Sequence, residues 1–285
     1  MIVSRLLSAF RSHPRWGWTA LIAYAAAVTF PHEQVQSAVN LLCIRFTFGG
    51  VFRASAAIGL AEAAVVTAFL FRGLVRQPQR RIVAGLWVLT LALIFGAWST
   101  LTANNIELVH YPQYFPEGVA LTALTLSPAE ALSWVVLLGG LDEGYQYWVL
   151  SMGRPTLFDF NDIYMDLLGG AAGVIFAMAF LRCARHPSPR QWIATLKRLG
   201  VIVIQSLTAL GLLLWASGRM LIVEDKTNPH YWFALGRFRA PTFWFQVLSN
   251  GPNKYHTLTP AEGMVLILAT IALYATLSRK YVITQ

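Results

Sequence analysis

The sequence predicts an all-α protein that crosses a membrane about eight times, and three observations support that prediction. The 285 residues are 56% hydrophobic and 12% charged, with a mean hydropathy of +0.54, which is far from the composition of soluble proteins. Residues 82–103 carry no charged side chain, and this length is sufficient for a helix to cross a hydrocarbon core of ~30 Å. The alternating ten-residue segments that would indicate a membrane barrel are missing.

The segment 199–218 is as clear a candidate span as 82–103. The segment 111–127 is the least regular, because it contains Pro112, Pro116 and Glu117, and a re-entrant segment is the alternative for it. The remaining predicted spans are 16–31, 54–71, 131–150, 163–182 and 261–278.

The distribution of Lys and Arg predicts a cytoplasmic N-terminus, because cytoplasmic loops carry the excess of these residues. With eight spans, the inner segments hold 14 of the 22 basic residues, from Arg5 to Lys280. The net charge of +9 therefore lies beside apolar spans, where anionic lipid headgroups attract it. We predict membrane lipids as partners and no nucleic acid.

Charge also divides the chain into three parts. Eight of the 13 acidic residues lie between Glu107 and Asp166, where Arg154 is the one Lys or Arg. We predict an N-terminal pair of spans (1–81), an acidic core of four spans (82–182) and a C-terminal extension (183–285). The extension contains an aromatic loop, 224–260, which is either an interfacial element or a packed cover over the bundle.

Two sequence patterns predict local helix structure. Ser127 with Glu130, and Thr259 with Glu262, match capping boxes, so we expect structural roles for these glutamates. The four-residue spacing of glycines at 140 and 144, and at 169 and 173, permits close helix approach. We therefore expect the fifth and sixth spans to pack tightly and to bring their acidic residues together.

The acidic residues fall into sets that share helix faces. Glu107 precedes His110 by three residues and Tyr111 by four, and Asp162 precedes Asp166 by four. In the eight-span topology, the third-to-fourth and fifth-to-sixth connections lie on the same, outer side of the membrane. The sequence therefore predicts a shared acidic pocket that faces outward.

Crowded and buried carboxylates have raised pKa values, which suits general acid catalysis, and histidine suits proton transfer. The candidate catalytic residues are Glu107, His110, Glu143 and Asp159. The candidate binding residues are Tyr111, Gln146, Arg154, Asp162 and Asp166.

Structural alternatives stand beside these roles. Asp159 is placed to cap the sixth helix, with Asp162 in its first turn, and His110 is placed to be merely hydrogen-bonded. Arg154 is placed to lock a buried ion-pair network. Glu62 lies near the centre of the second span, where a carboxylate costs about 3 kcal/mol, so we expect it to be paired, protonated or facing a polar cavity. We also predict that it points towards the acidic pocket.

The sequence leaves metal and cofactor use open. Several carboxylates from different helices suit Mg²⁺ or Ca²⁺ without requiring either ion. HExxH, P-loop, GxSxG and dinucleotide-binding motifs do not occur in the sequence.

The window 82–182 resembles the VanZ-like family of bacterial membrane proteins. The family pattern usually has Asn at the position of Asp166, so this sequence departs from it there. The resemblance implies a multi-pass protein of the bacterial cytoplasmic (inner) membrane, with an envelope role related to glycopeptide resistance, and it supplies no biochemical activity. The matching residues are Glu107, His110, Tyr111, Tyr114, Glu143, Gln146, Arg154, Asp159, Asp162, Gly169, Gly170 and Gly173.

Three functions fit these observations. The first is a binding protein whose acidic pocket engages a polar lipid or a lipid-linked glycan headgroup. The second is a membrane-embedded enzyme that uses carboxylate acid–base chemistry on such a lipid. The third is a structural subunit of a membrane complex.

Overall fold

The computed structural model describes residues 2–75, 77–150, 158–181, 183–184, 198–217, 219–223, 233–236, 242–244, 254–278 and 282–283. These ranges contain ten α-helices. The helices are α1 (Ile2–Ser12), α2 (Pro14–Thr29), α3 (His32–Phe46), α4 (Phe48–Leu74), α5 (Arg80–Thr100), α6 (His110–Thr125), α7 (Pro128–Tyr145), α8 (Phe160–Phe180), α9 (Leu199–Ala216) and α10 (Pro260–Ser278).

Shorter elements connect and flank these helices. A 3₁₀ turn (Asn105–Val109) precedes α6, and a π-helical segment (Gln146–Leu150) follows α7. Strand β1 (Cys183–Ala184) pairs antiparallel with β4 (Val282–Ile283), and β2 (Met220–Val223) pairs parallel with β3 (Phe233–Gly236).

Helices occupy all eight segments that the sequence predicts as spans, and α1 and α3 are additional. Four helices, α4, α5, α8 and α10, are long and apolar enough to cross a membrane. The expected helical membrane protein is confirmed at this level, while the count of eight spans and the cytoplasmic N-terminus remain predictions.

Helix α8 forms the centre of the bundle. Every residue from 163 to 179 is buried, as expected of a helix that is apolar on all faces. Helices α5, α6 and α7 pack around it. Residues of α8 therefore face the interior of the protein, including the acidic Asp166.

Glycines bring α6 and α8 into backbone contact. A Cβ atom on Gly173 of α8 would overlap the carbonyl of Phe115, and one on Gly118 of α6 would overlap the carbonyl of Gly170. Small residues allow this approach between membrane helices, where van der Waals packing drives association.

The predicted contribution of Gly140 to helix packing is wrong, because no described residue lies within 4 Å of a Cβ atom added there. Its neighbour Gly139 is the glycine of α7 that faces α8, with Asp166 Oδ2 2.7 Å from the position of an added Cβ. The four-residue spacing identifies a helix face, but a single-residue offset turns that face by about 100°.

The predicted N-caps are present, but only the Thr259 capping box is complete, because the Ser127 amide donates to Thr125 Oγ1 (3.3 Å) rather than to Glu130. The Thr259 hydroxyl accepts a hydrogen bond from the Glu262 amide (3.0 Å), and Glu262 Oε2 accepts from the Thr259 amide (2.8 Å). Ser127 Oγ accepts from the Glu130 amide (3.4 Å), and the Glu130 carboxylate pairs with Arg198 (2.9 Å). The structural roles of both glutamates are therefore confirmed.

Candidate functional site

The antiparallel course of the helices brings several polar termini to one end of the bundle. The 3₁₀ turn, the start of α6, the end of α7 and the start of α8 all meet there. Side chains of these termini, together with those of Glu117 and Asp166 further inside α6 and α8, form a group that we name the acidic cluster. Its members are Glu107, His110, Glu117, Asp142, Glu143, Asp159, Asp162 and Asp166.

His110 connects α6 to two carboxylates of α8. Its Nδ1 lies 2.8 Å from Asp166 Oδ1, and its Nε2 lies 3.6 Å from Asp162 Oδ2. Asp162 and Asp166 are one helical turn apart, so they present their carboxylates to the same imidazole. Asp166 is fully buried and Asp162 is partly exposed, which orients the ring from the interior towards the end of the bundle.

Glu143 joins α7 to the start of α8. Its Oε1 accepts a hydrogen bond from Gln146 Nε2 (2.9 Å), and its Oε2 accepts from the Asp159 amide (3.2 Å). The adjacent Asp142 accepts longer hydrogen bonds through Oδ2 from the Tyr114 hydroxyl and from Gln146, both at 3.4 Å. The end of α7 therefore supplies two buried carboxylates to the cluster.

Glu107 shapes the connection that leads into α6. Its two carboxylate oxygens accept hydrogen bonds from the Ala103 amide and from Asn104 Nδ2, each at 2.8 Å. Burial raises the pKa of Glu107 to about 8, and the negative charge of Asp162 adds to this rise. The carboxyl of Glu107 is therefore able to exchange a proton near neutral pH.

Asp159 caps α8. Its Oδ1 accepts a hydrogen bond from the Asn161 amide (2.8 Å), which confirms the capping interpretation of this residue. Burial raises its pKa to about 7, and the nearby charge of Asp162 adds to the rise. Asp159 therefore both caps α8 and titrates near neutral pH.

Several buried polar atoms of the site have no hydrogen-bond partner among the described residues. They include Asp142 Oδ1, Asp166 Oδ2, Glu117 Oε2 and the Tyr111 hydroxyl. Buried polar groups are normally satisfied, so these atoms indicate room for ordered water or for a polar ligand group. Three of the four are carboxylate oxygens, which require hydrogen-bond donors when ionised.

Positive charge is scarce in the described part of the site. His110 is the only basic side chain there that pairs with a carboxylate of the cluster. Arg154, the cation predicted for this pocket, lies outside the described residues. Most of the aromatic loop 224–260 lies outside them as well.

The structure brings together most of the residues that the sequence predicts for the site. Seven of them surround the same space: Glu107, His110, Glu143, Gln146, Asp159, Asp162 and Asp166. Tyr111 lies at its edge, where it also lines an apolar groove between α4, α5 and α6. The expected orientation of Glu62 towards the pocket is wrong, because Glu62 lines this groove.

Asn161 is the main structural residue of the site that the sequence did not reveal. Its Nδ2 donates to the carbonyls of Leu101 and His256, and its Oδ1 accepts from the Leu258 amide, all at 2.8 Å. It therefore fastens the segment before α10 across the end of the bundle. Its one signal in the sequence is its position between Asp159 and Asp162.

Glu117 and Asp142 are not predicted from the sequence as site residues, although both are buried in the cluster. Glu117 lies within a predicted span, and Asp142 is the immediate neighbour of Glu143. Within the described ranges, no group of three or more His, Cys, Asp or Glu side chains is arranged to hold a metal ion.

Comparison with known proteins identifies no relative of this chain. No family model, curated protein or solved structure matches the chain.

Proposed function

We propose that this chain is a membrane protein whose acidic cluster binds the hydroxyl-bearing headgroup of an envelope lipid or a lipid-linked glycan precursor. The observation that carries the proposal is a pair of buried oxygens, Asp142 Oδ1 and Asp166 Oδ2, that have no hydrogen-bond partner among the residues that the structure describes. The partly exposed Asp162 lies one helical turn before Asp166. Carboxylate oxygens accept hydrogen bonds and sugar hydroxyls donate them, so the two chemistries are complementary.

The proposal includes the predicted topology of eight spans with a cytoplasmic N-terminus. The charge at the far end of the bundle supports it, since Arg80 and Arg81 begin α5 and Arg198 pairs with Glu130 at the start of α7. In this topology the acidic cluster faces away from the cytoplasm. The VanZ-like resemblance adds the bacterial cytoplasmic membrane and a role related to glycopeptide resistance.

A second candidate function is acid–base catalysis on the same lipid. The observation that favours it is the hydrogen bond between His110 Nδ1 and Asp166 Oδ1 (2.8 Å). A carboxylate in this position fixes the orientation of the imidazole and leaves Nε2 facing the partly exposed Asp162. His110 would then exchange a proton with a headgroup hydroxyl, and Glu107 or Asp159 would exchange protons with solvent.

A purely structural role explains the cluster less well. Ion pairs that lock helices need matched charges, because an unpaired buried carboxylate carries a desolvation penalty. Within the described part of the chain, eight residues form the cluster and seven of them are acidic, so repulsion within this group outweighs attraction unless protons or ligand donors intervene.

Lipids that copurify with the full chain test the proposal. We expect native mass spectrometry of the wild type to detect a bound lipid with a glycan headgroup, and Asp162→Asn and Glu143→Gln to lose at least ten-fold of it. Glu130→Gln is the matched control, because this carboxylate lies at the opposite end of the bundle. An unchanged set of bound lipids in folded Asp162→Asn and Glu143→Gln would overturn the proposal.

The same preparation separates binding from catalysis. If the cluster is catalytic, His110→Gln retains the lipid and stops its conversion to a product of different mass. If the cluster only binds, the wild type converts no lipid.

A further inference from the structure

Helix α4 is fastened to the bundle near both of its ends. Near its start, Asn105 Nδ2 donates to the carbonyl of Phe52 (3.0 Å). Just beyond its end, Gln77 Nε2 donates to the carbonyls of Ala179 (2.9 Å) and Leu181 (2.7 Å). Gly73 also packs on the backbone of Ala179. Between these contacts, Trp87 Nε1 of α5 also donates a hydrogen bond to Thr67 Oγ1 of α4 (3.1 Å), so α4 is held against the bundle at its middle as well.

A groove of about 830 Å³ fills the space between these attachments. One wall is α4, which contributes small residues such as Gly59, Ala63 and Ala68, and the other wall contains the aromatic rings of Trp87, Phe95 and Phe115. The lining runs from position 56 to position 71 of α4, which is about 22 Å at ~1.5 Å per residue. The groove is thus long, narrow and mostly apolar.

An elongated hydrocarbon chain fits this groove better than water does. Two of its walls, α4 and α5, are helices apolar and long enough to lie at membrane depth. Membrane helices associate through van der Waals contact, so an empty slot between them would forfeit that contact along both walls. The volume lies within the range of ~300–1,000 Å³ that is typical of ligand sites.

One end of the groove meets the acidic cluster. Leu108 and Tyr111 line the groove, and they are chain neighbours of Glu107 and His110. The hydroxyl of Tyr111 is buried with no hydrogen-bond partner among the described residues. Tyr111 therefore lies at the junction of an apolar groove and a polar pocket.

We infer that the groove holds the hydrocarbon chain of the same lipid whose headgroup occupies the acidic cluster, with Tyr111 at the boundary between head and chain. This inference rests on the proposed function, because it assigns the second half of that ligand. It also gives α4 a function, since this helix contributes a wall of the binding site and few contacts to the core.

Photocrosslinking of the full chain in nanodiscs tests the inference. The probe is a glycolipid with a sugar headgroup and a diazirine near the far end of its chain. We expect the label on peptides that contain Trp87, Phe95 or Phe115. Ala63→Trp fills the groove and is expected to reduce this labelling at least five-fold, with Ala64→Leu as a milder variant should the tryptophan disturb folding.

Ala61→Trp is the matched control, because Ala61 lies on the outer face of α4 and does not line the groove. We expect the groove peptides of Ala61→Trp to be labelled to the same extent as those of the wild type. Glu62→Leu removes the carboxylate from the groove wall, and we expect it to retain or increase the labelling. Equal labelling of Ala63→Trp and Ala61→Trp would overturn the inference.

Two further arms separate this inference from the proposed function. A phosphocholine lipid with the same diazirine chain should label the groove at least five-fold less, and equal labelling would mean that the groove accepts bulk lipid. Asp162→Asn should reduce glycolipid labelling if head and chain belong to one ligand. The two claims are separable. If Asp162→Asn loses the copurified lipid but the label on the wild type falls outside the groove, the proposed function stands and this inference alone is overturned.

Discussion

His110 of α6 and Asp166 of α8 share a buried hydrogen bond of 2.8 Å between Nδ1 and Oδ1. The bond crosses the same helix pair whose backbones touch at Gly118 and Gly173. Close backbone packing thus places this polar contact in the interior, where an unpaired partner is costly.

Removing the acceptor of this bond should destabilise the protein. In Asp166→Ala the buried His110 loses its partner, and we expect the free energy of unfolding to fall by about 1–3 kcal/mol. Asp166→Asn retains an acceptor oxygen and removes a buried charge, so we expect it to stay within about 1 kcal/mol of the wild type. Reversible unfolding in mixed micelles measures both. Equal destabilisation by the two variants would contradict this account of the bond.

The contact between α6 and α8 should not tolerate a methyl group. Gly173→Ala places Cβ against the backbone of Phe115, and we expect a loss of about 1–3 kcal/mol in unfolding free energy. Gly140→Ala is the matched control: no described residue lies within 4 Å of a Cβ atom added at Gly140, and alanine favours the helix by about 0.5–1 kcal/mol. A Gly173→Ala protein as stable as Gly140→Ala would refute the close approach of the two helices.

Much of this architecture is predictable from sequence because its signals are local. Hydropathy locates the helices, and the Thr259 and Glu262 capping box depends on residues only three apart. The neighbour on which each helix face packs is not predictable in this way, because the contacting residues are distant in sequence. The glycines at 169 and 173 pack on α6 rather than α7, and Asn161 joins carbonyls at 101 and 256, which only the tertiary fold brings near.

The acidic site is predictable to a similar extent. Helical spacing and the antiparallel order of spans are sufficient to predict that Glu107, His110, Glu143 and Asp162 share one end of the bundle. How deeply the side chains of Asp142 and Glu117 are buried depends on the rotation of α7 and α6 about their axes, which hydropathy does not predict. The groove beside Glu62 depends on where α4 is fastened, and the contacts of Phe52 and Gln77 that fasten it are distant in sequence.

Stability should decrease as the pH rises towards 8. Burial raises the pKa of Glu107 from 4.5 to about 8 and that of Asp159 from 3.8 to about 7, so the folded protein binds more protons than the unfolded chain between these values. The stabilisation is complete below the unfolded pKa values and is lost as the pH passes the folded ones.

The unfolding temperature in nanodiscs, measured from about pH 5 to about pH 8.5, checks this dependence. We expect it to fall across the range, and Glu107→Gln should flatten the slope because glutamine does not ionise. Glu33→Gln, at an exposed position of α3, should leave the slope unchanged. A wild-type unfolding temperature that rises with pH would contradict the assignment.

Asn161→Ala should release the segment before α10 from the end of the bundle. The change leaves the Leu258 amide and two carbonyls without their partner, and we expect a loss of about 2–4 kcal/mol in unfolding free energy. Hydrogen exchange should increase at residues 256–259 relative to the wild type. Asn40→Ala, on the exposed face of α3, is the control. Unchanged exchange at 256–259 would show that Asn161 does not fasten this segment.

The most direct test of headgroup recognition by carboxylates compares two ligands that differ only in donor hydroxyls. An alkyl glycoside and its per-O-methylated analogue are each titrated against the wild type and Asp162→Asn in nanodiscs. We predict that the wild type binds the glycoside at least ten-fold more tightly than Asp162→Asn does, and that methylation removes this difference. Equal affinity of both proteins for the unmodified glycoside would contradict the account.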